Sequence, residues 1–486
     1  MTGIVVYLYS GFWYRAAKLM FQLFSMKRII LVLLPLALLV TTAATLDLAS
    51  LHNYANQARP AYIRKDNTPQ GNAIDDKGAT LGRVLFYDKK LSLNNTVSCG
   101  SCHHQQFAFG DTASASKGAQ GNTSRHTMRL VNIRFGTETR FFWDERALSL
   151  EEQTTLPIQN HEEMGYSGQN GDPTINDLIA KMNSTWYYPR LFSWAYGDAQ
   201  ITEQRMQQAL SKFIRSIQSL DSKFDVGRAA VNNDNAPFPN YTQQENQGKQ
   251  LFLAPPQFNA NGIRIAGGAG CAGCHRAPEF DIDPNSRNNG VTGSFSGVAD
   301  RINTRSPSLR DIVDINGIAY GGFMHNAGAN GLNTLLDVIN HYDSIPAANP
   351  NLDPRLRPGG NLQRLRMTMQ EKEAMVAFLS TLTGSDIYTN PKWSDPFTND
   401  SLDATNLPGL SVSSTNTGNK LKVYPTIVTD GIISIDGAST NMQITNTEGR
   451  TMYRGAVNAR MDIAAYPTGI YMIRFDNGQT ERIIKQ

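Results

Sequence analysis

Cysteine is the feature that narrows this chain most. Its 486 residues include only four cysteines, and all four fall in two copies of one pattern, Cys99-Gly100-Ser101-Cys102-His103 and Cys271-Ala272-Gly273-Cys274-His275. C-x-x-C-H is the attachment phrase of a c-type haem. The two sulfurs bond the vinyl groups and the next histidine reaches the iron, so one turn of chain must serve an edge and a face of a rigid ring. A redox C-x-x-C needs no histidine, and a zinc site needs further ligands for which candidates are few. The expectation is two covalently bound haems c, held by Cys99, Cys102 and His103 and by Cys271, Cys274 and His275. A chain built around two haems is expected to be mainly helical.

Both ends of the chain point to export. Met26-Lys27-Arg28, the apolar run 29–40 and the small residues Thr41-Thr42-Ala43-Ala44 are the three parts of a signal peptide. The run is about 12 residues, short of the roughly 20 that span a bilayer. Residues 26–44 are therefore read as the signal, and 1–25 as an upstream segment of uncertain start. At the other end, a linker over 391–419 leads to short alternating apolar runs at 421–423, 432–435, 442–444 and 470–473, separated by turn residues such as Thr429-Asp430-Gly431. That patterning predicts a small antiparallel β-sandwich over 420–486. Val423-Tyr424-Pro425, Tyr466-Pro467-Thr468-Gly469-Ile470-Tyr471 and Arg482-Ile483-Ile484-Lys485 resemble the C-terminal sorting domain of type IX secretion substrates. The resemblance implies a secretion machinery as partner, with passage through the periplasm to the outside or the cell surface.

Between the ends, one plan occurs twice. Gly82-x-x-Leu85-Phe86 precedes the first C-x-x-C-H, and Ala209-Leu210-x-x-Phe213-Ile214 follows it. Gly248-x-x-Leu251-Phe252 and Ala374-Met375-x-x-Phe378-Leu379 flank the second. All four read as helices, and Thr242-x-x-Glu245 and Thr368-x-x-Glu371 supply capping boxes. The glycines would let the opening helix approach the closing one, with the aromatics packed beside the haem. This predicts two cytochrome c-like domains in tandem, 62–230 and 231–390. Hydrophobic residues at 40% and charged residues at 18% supply an ordinary core. A net charge of +3 without a basic stripe excludes nucleic acid as a partner.

The segment between the haem motifs decides between electron carrier and enzyme. It contains Phe141-Phe142-Trp143-Asp144-Glu145-Arg146-Ala147, Gln153, and Gln159-Asn160-His161-Glu162-Glu163-Met164-Gly165. Here, over about residues 70 to 385, the chain resembles the bacterial di-haem cytochrome c peroxidase family, MauG-like enzymes included. The resemblance implies that the first haem is the peroxide site. It gives Glu163 the acid–base role, with His161 where the family has proline. It makes Gln153 the pocket glutamine and Trp143 the relay between the haems, with Glu145 in place of a glycine.

Family members often carry a distal histidine on the loop after the first motif. Residues 110–124 contain none, which predicts an open, high-spin first iron. His104 directly follows the proximal ligand, and His126 is the rival distal ligand. For the second iron, Val338-Ile339-Asn340-His341-Tyr342 and Phe323-Met324-His325-Asn326 offer Tyr342, with Met324 and His341 as alternatives. A phenolate lowers the potential and methionine raises it. The family also binds calcium between the haems. The aligned asparagine is His126 here, a poor ligand for a hard cation, with carbonyls from Tyr320 and Gly322.

The leading expectation is a peroxidase that reduces hydrogen peroxide with electrons from a small redox protein, by resemblance a homodimer. The alternatives are a MauG-like oxidase acting on a protein or organic substrate, and a non-catalytic di-haem electron carrier.

Overall fold

The computed structural model describes residues 46–137, 140–302, 305, 307–329, 331–397, 402, 421–436, 441–476 and 479–486. The upstream segment, the signal peptide and residues 398–401 and 403–419 of the linker lie outside them. The chain divides between Leu410 and Ser411 into two units.

In the first unit the expected helix pairs are present. Helix α1 (Asp76–Tyr87) carries Gly82 and Phe86. After the haem motif and an irregular stretch come α2 (Leu150–Thr155), α3 (Ile175–Ser184), α4 (Tyr188–Tyr196) and the closing helix α5 (Glu203–Ser216). The second copy follows α6 (Lys223–Ala229) and opens with α7 (Gln243–Leu253), capped by the Thr242/Glu245 box. Two short hairpins, β1 (Pro256–Phe258) with β2 (Arg264–Gly267) and β3 (His275–Arg276) with β4 (Asp281–Ile282), surround the second motif. Helix α8 (Leu335–Asp343) and the closing helix α9 (Met369–Ser380), capped by Thr368/Glu371, complete it.

The two glycines act as the sequence implied. A Cβ on Gly82 would press into the Ala209 carbonyl and stand 2.9 Å from Phe213 Cβ. On Gly248 it would press into the Ala374 carbonyl and stand 2.8 Å from Phe378 Cβ. Each opening helix can therefore lie directly on its closing helix. The same aromatic pair follows in each copy, Phe86 on Phe213 with ring centroids 5.2 Å apart and Phe252 on Phe378 at 5.3 Å.

Two separate apolar cores result. One gathers residues from Leu46 to Ile217, and the other residues from Phe224 to Leu382. The chain then returns to the first core through Ile387, Trp393, Phe397 and Leu402. This corrects the expected start of the linker. Trp393 is fully buried and donates its indole N–H to the Ser216 carbonyl at 3.1 Å, so residues 391–397 belong to the haem-bearing unit. Burial of one large apolar side chain decides the packing here.

The second unit is a two-sheet β structure. One sheet has the order β10 (Arg460–Asp462), β7 (Ile432–Asp436), β5 (Lys422–Tyr424). The other runs β6 (Ile427–Val428), β12 (Thr480–Lys485), β11 (Gly469–Phe475), β8 (Asn441–Asn446), β9 (Thr451–Ala456). Alternate residues such as Tyr471, Ile473 and Phe475 point into a core shared with Ile433 and Ile444, as period-two patterning requires. The expectation of a wholly antiparallel sandwich is corrected at one edge. There β6 pairs with β12 in parallel, Ile484 opposite Ile427, too short a run to leave a pattern in sequence.

Candidate functional site

The first C-x-x-C-H begins in a single 3-10 turn, Cys99–Ser101, capped by Ser98. The His103 ring is held by the following loop, where Nδ1 donates to the Phe109 carbonyl at 2.9 Å. That bond fixes the tautomer and leaves Nε2 with its lone pair free. Burial lowers the His103 pKa to about 4, so the ring is a neutral donor at ordinary pH. Burial likewise pushes the Cys99 and Cys102 thiols up to about 12.

A cavity of about 150 Å³ beside His103 is lined by Cys102, Trp143, Arg146, Gln153 and Glu163. The structure thus brings the sequence-predicted residues to one place. Gln153 arrives on α2, whose start Ser149 caps. Glu163 lies in the turn after it, its backbone N–H bonded to the Asn160 side chain at 3.0 Å. Burial raises the Glu163 pKa to about 7, opposed by the positive charge of Arg146. A carboxyl poised near neutrality is what proton transfer in both directions asks for.

The loop expected to be histidine-free has a support role that the sequence reading missed. Ala119 N–H donates to the Glu163 carbonyl at 2.7 Å, and Gln120 and Gly121 N–H both donate to the Glu162 carbonyl. A Cβ on Gly118 would press into the Glu162 carbonyl and lie 2.8 Å from Glu163 Cα. The strap fixes the glutamate's backbone, and its sequence signal is Gly118-Ala119-Gln120-Gly121.

Trp143 lies on the wall that this cavity shares with a second one. Its indole N–H donates to the His126 carbonyl at 2.7 Å, and its ring meets that of His325 edge-on at 6.2 Å. It is carried by a tight loop closed between Phe141 and Ala147. Glu145 there adopts φ +55°, a left-handed conformation that glycine takes without cost. Glutamate thus stands here in a backbone shape that favours glycine.

His126 lines the same cavity as Glu163. Its Nδ1 donates to the Ala113 carbonyl at 2.9 Å, which leaves Nε2 with its lone pair, and its backbone N–H donates to the His325 carbonyl at 2.7 Å. His104 stacks edge-on against Phe107, with Nε2 4.0 Å from Asp111, and lines neither cavity. Among the described residues no three His, Cys, Asp or Glu side chains converge on a metal position.

The second cavity, about 720 Å³, is lined by Cys271, Cys274 and His275, by Tyr342 and Met324, and by apolar side chains including Leu335, Ile339, Met375 and Leu379. Its size is that of a cofactor pocket. His275 is a neutral imidazole, its pKa lowered to about 4 by burial against the opposing effect of the Pro307 backbone carbonyl. Apolar walls, two sulfurs and an imidazole fit a haem.

Both leading candidates for the second iron's sixth ligand are present. The Asn289 side-chain N–H group lies 3.2 Å from the Tyr342 hydroxyl and 3.2 Å from Met324 Sδ. Burial raises the Tyr342 phenol well above its usual range. His341 is turned away, its Nε2 bonded to the Asn289 carbonyl at 2.8 Å, and it does not line the cavity. Asn289, which links the two candidates, carried no motif by which the sequence could reveal it.

Residues 76–233 match the family profile of the di-haem cytochrome c peroxidases, and residues 422–486 that of the secretion system C-terminal sorting domain. The methylamine utilization protein MauG of Methylophilus methylotrophus is 27% identical over 71% of this chain and 95% of its own length. The cytochrome c551 peroxidase of Nitrosomonas europaea is 27% identical over 63% of this chain and 80% of its own. The crystal structure of a MauG-like protein associated with microbial copper homeostasis superposes with a TM-score of 0.53 at 26% identity, covering 70% of this chain and 99% of that one.

Proposed function

Residues 76–233 belong to the di-haem cytochrome c peroxidase family and residues 422–486 are a secretion sorting domain, and from that premise we propose that this chain is an exported di-haem peroxidase. It reduces hydrogen peroxide to water, taking electrons from a small redox protein at the second haem and passing them to the first. The observation that carries the reading is the convergence of Glu163 and Gln153 on the cavity of His103, with Trp143 on the wall shared with the cavity of His275.

Cys99, Cys102 and His103 would hold one haem and Cys271, Cys274 and His275 the other. When bound, the haems supply an iron centre for peroxide and the electron storage for a two-electron reduction. The chain's own residues manage protons and position. Glu163 takes the proton from the inner oxygen of hydrogen peroxide and returns it to the outer oxygen, which leaves as water when the O–O bond breaks. Two electrons and two protons then complete the second water. The Gln153 amide orients the peroxide, and a preorganised dipole of this kind costs no rearrangement during the reaction. Arg146 keeps Glu163 from rising further in pKa.

Replacing Glu163 by glutamine tests the reading, because the shape is kept and the base is lost. Peroxide turnover should collapse while both haems remain attached. Unchanged turnover would refute the assignment.

A second reading, a MauG-like oxidase that draws electrons from a protein or organic substrate, is favoured by Tyr342 lining the second cavity. Adding peroxide and then reduced cytochrome separates the two. Prompt consumption of the cytochrome supports the peroxidase, and a signal that persists until an organic substrate is added supports the oxidase. The sorting domain supports export through the secretion machinery. Among the described residues no helix is long and apolar enough to cross a membrane.

A further inference from the structure

Arg129 is a buried charge beside the two cavities to which the proposed reaction gives no task. It lies on the wall shared by both. Its stem passes the loop that follows His103, where a Cβ on Gly110 would stand 2.9 Å from Arg129 Cγ. At the head, one Nη donates to the Ser308 carbonyl at 3.2 Å. Nε is buried with no hydrogen-bond partner.

A guanidinium cannot escape this cost by losing its proton. A buried charge with an open donor therefore calls for an anion. No protein carboxylate pairs with it directly. Asp311 faces Arg129 together with Tyr320 and Tyr388, but the two do not approach within ion-pair distance: Asp311 Oδ1 accepts from Gly384 N–H at 2.9 Å and from the Tyr388 hydroxyl at 2.9 Å, and its Oδ2, like Arg129 Nε, is buried without a partner. The group that matches a guanidinium fork best is a planar carboxylate.

Each haem brings two carboxylates, its propionates. We propose that Arg129 is the counter-ion of a propionate of the first haem, and that its charge raises that haem's reduction potential. The proposal rests on the di-haem reading and makes Arg129 a positioning residue; it has no part in proton transfer. A fixed positive charge favours the reduced, more negative state of a nearby haem, and the effect is large where water is excluded.

The test compares Arg129→Gln and Arg129→Lys in the full haem-bearing chain. A pyridine haemochrome count gives haems per chain, and a reductive titration followed optically gives two midpoints. Glutamine should lower the first haem's midpoint, shifting its oxidised-to-reduced ratio about tenfold, or 59 mV for one electron. Lysine, keeping the charge, should hold it near the original value. An unmoved first midpoint in a two-haem glutamine variant overturns the proposal, as does an equal shift with lysine. If glutamine prevents maturation and lysine permits it, retention depends on charge and the proposal stands. Loss of haem in both variants overturns it, since packing then accounts for the residue. An unaltered chain with fewer than two haems would remove the di-haem reading itself, whereas two haems with unmoved midpoints remove only this proposal.

Discussion

The two haem cavities start from one plan and end with opposite characters. Each is built from an opening helix with a close-contact glycine, a C-x-x-C-H turn and a closing helix that stacks phenylalanine on phenylalanine. The first then acquires a carboxyl of raised pKa, an amide and an arginine in about 150 Å³. The second acquires Leu335, Ile339, Met375 and Leu379 around about 720 Å³, with Tyr342 and Met324 beside one asparagine. The helix pairs are thus a common holder for a flat apolar group. Chemistry is assigned by what lies between the paired helices, residues 110–165 at one site and 287–342 at the other. A polar pocket with its own proton carrier suits a small reacting molecule, and an apolar one whose candidate ligands are already in place suits electron storage.

The sharpest way to break this comparison is Glu163→Gln. If proton management belongs to the first site alone, turnover of peroxide should fall by about 10² to 10⁴, the usual worth of a general acid–base. Tyr342→Phe should leave the reaction of the first site with peroxide intact. Stopped-flow mixing with peroxide checks both, and equal losses would mean that the asymmetry has been misread.

The pH dependence follows from the same residue. Glu163 must be ionised to accept a proton, and burial has moved its pKa up to about 7. Activity per free enzyme, kcat/KM, should therefore rise with pH through about 7 and fall about tenfold for each unit below it. For stability the sign is opposite. The folded state holds this proton more tightly than the unfolded chain, so its contribution is full below the ordinary glutamate range and is lost as pH rises through about 7. A profile flat from pH 5 to 8 would remove Glu163 as the controlling group.

Next in size are the glycines, which probe what the two sites share. Gly82→Ala and Gly248→Ala should each cost about 1–3 kcal/mol through overpacking against the closing helix. Denaturant unfolding should register similar losses at both positions. A large loss at one and none at the other would mean that the repeat is only superficial.

What the sequence revealed divides along the same line. The helix pairs were legible because spacing alone carries them: G-x-x-L-F, C-x-x-C-H and the Thr/Glu caps are local patterns. Glu163, Gln153 and Trp143 were legible only by resemblance, since a glutamate in a turn has no signature of its own. The strap from Gly118 to Gly121, the Asn289 link and the open Nε of Arg129 depend on contacts between segments far apart in the chain. No period records them. Trp393 and the parallel β6–β12 pair were missed for the same reason: one buried side chain and one two-residue strand are too short to make a pattern.

The smallest expected effect is the most discriminating about the second site. Asn289 lies equally far from the Tyr342 hydroxyl and Met324 Sδ, so position alone does not rank them as iron ligands. Tyr342 lies on α8, whereas Met324 sits in a loop at φ +69°, a strained conformation for a non-glycine residue. A ligand on a regular helix is the better anchored of the two, and that argument ranks Tyr342 first. Tyr342→Phe should then raise the midpoint of the second haem, since a phenolate holds it low, and should alter that haem's absorption while leaving the first haem's unchanged. Met324→Leu should move neither. The reverse pattern, a fall in midpoint with Met324→Leu and none with Tyr342→Phe, would make the second site methionine-ligated.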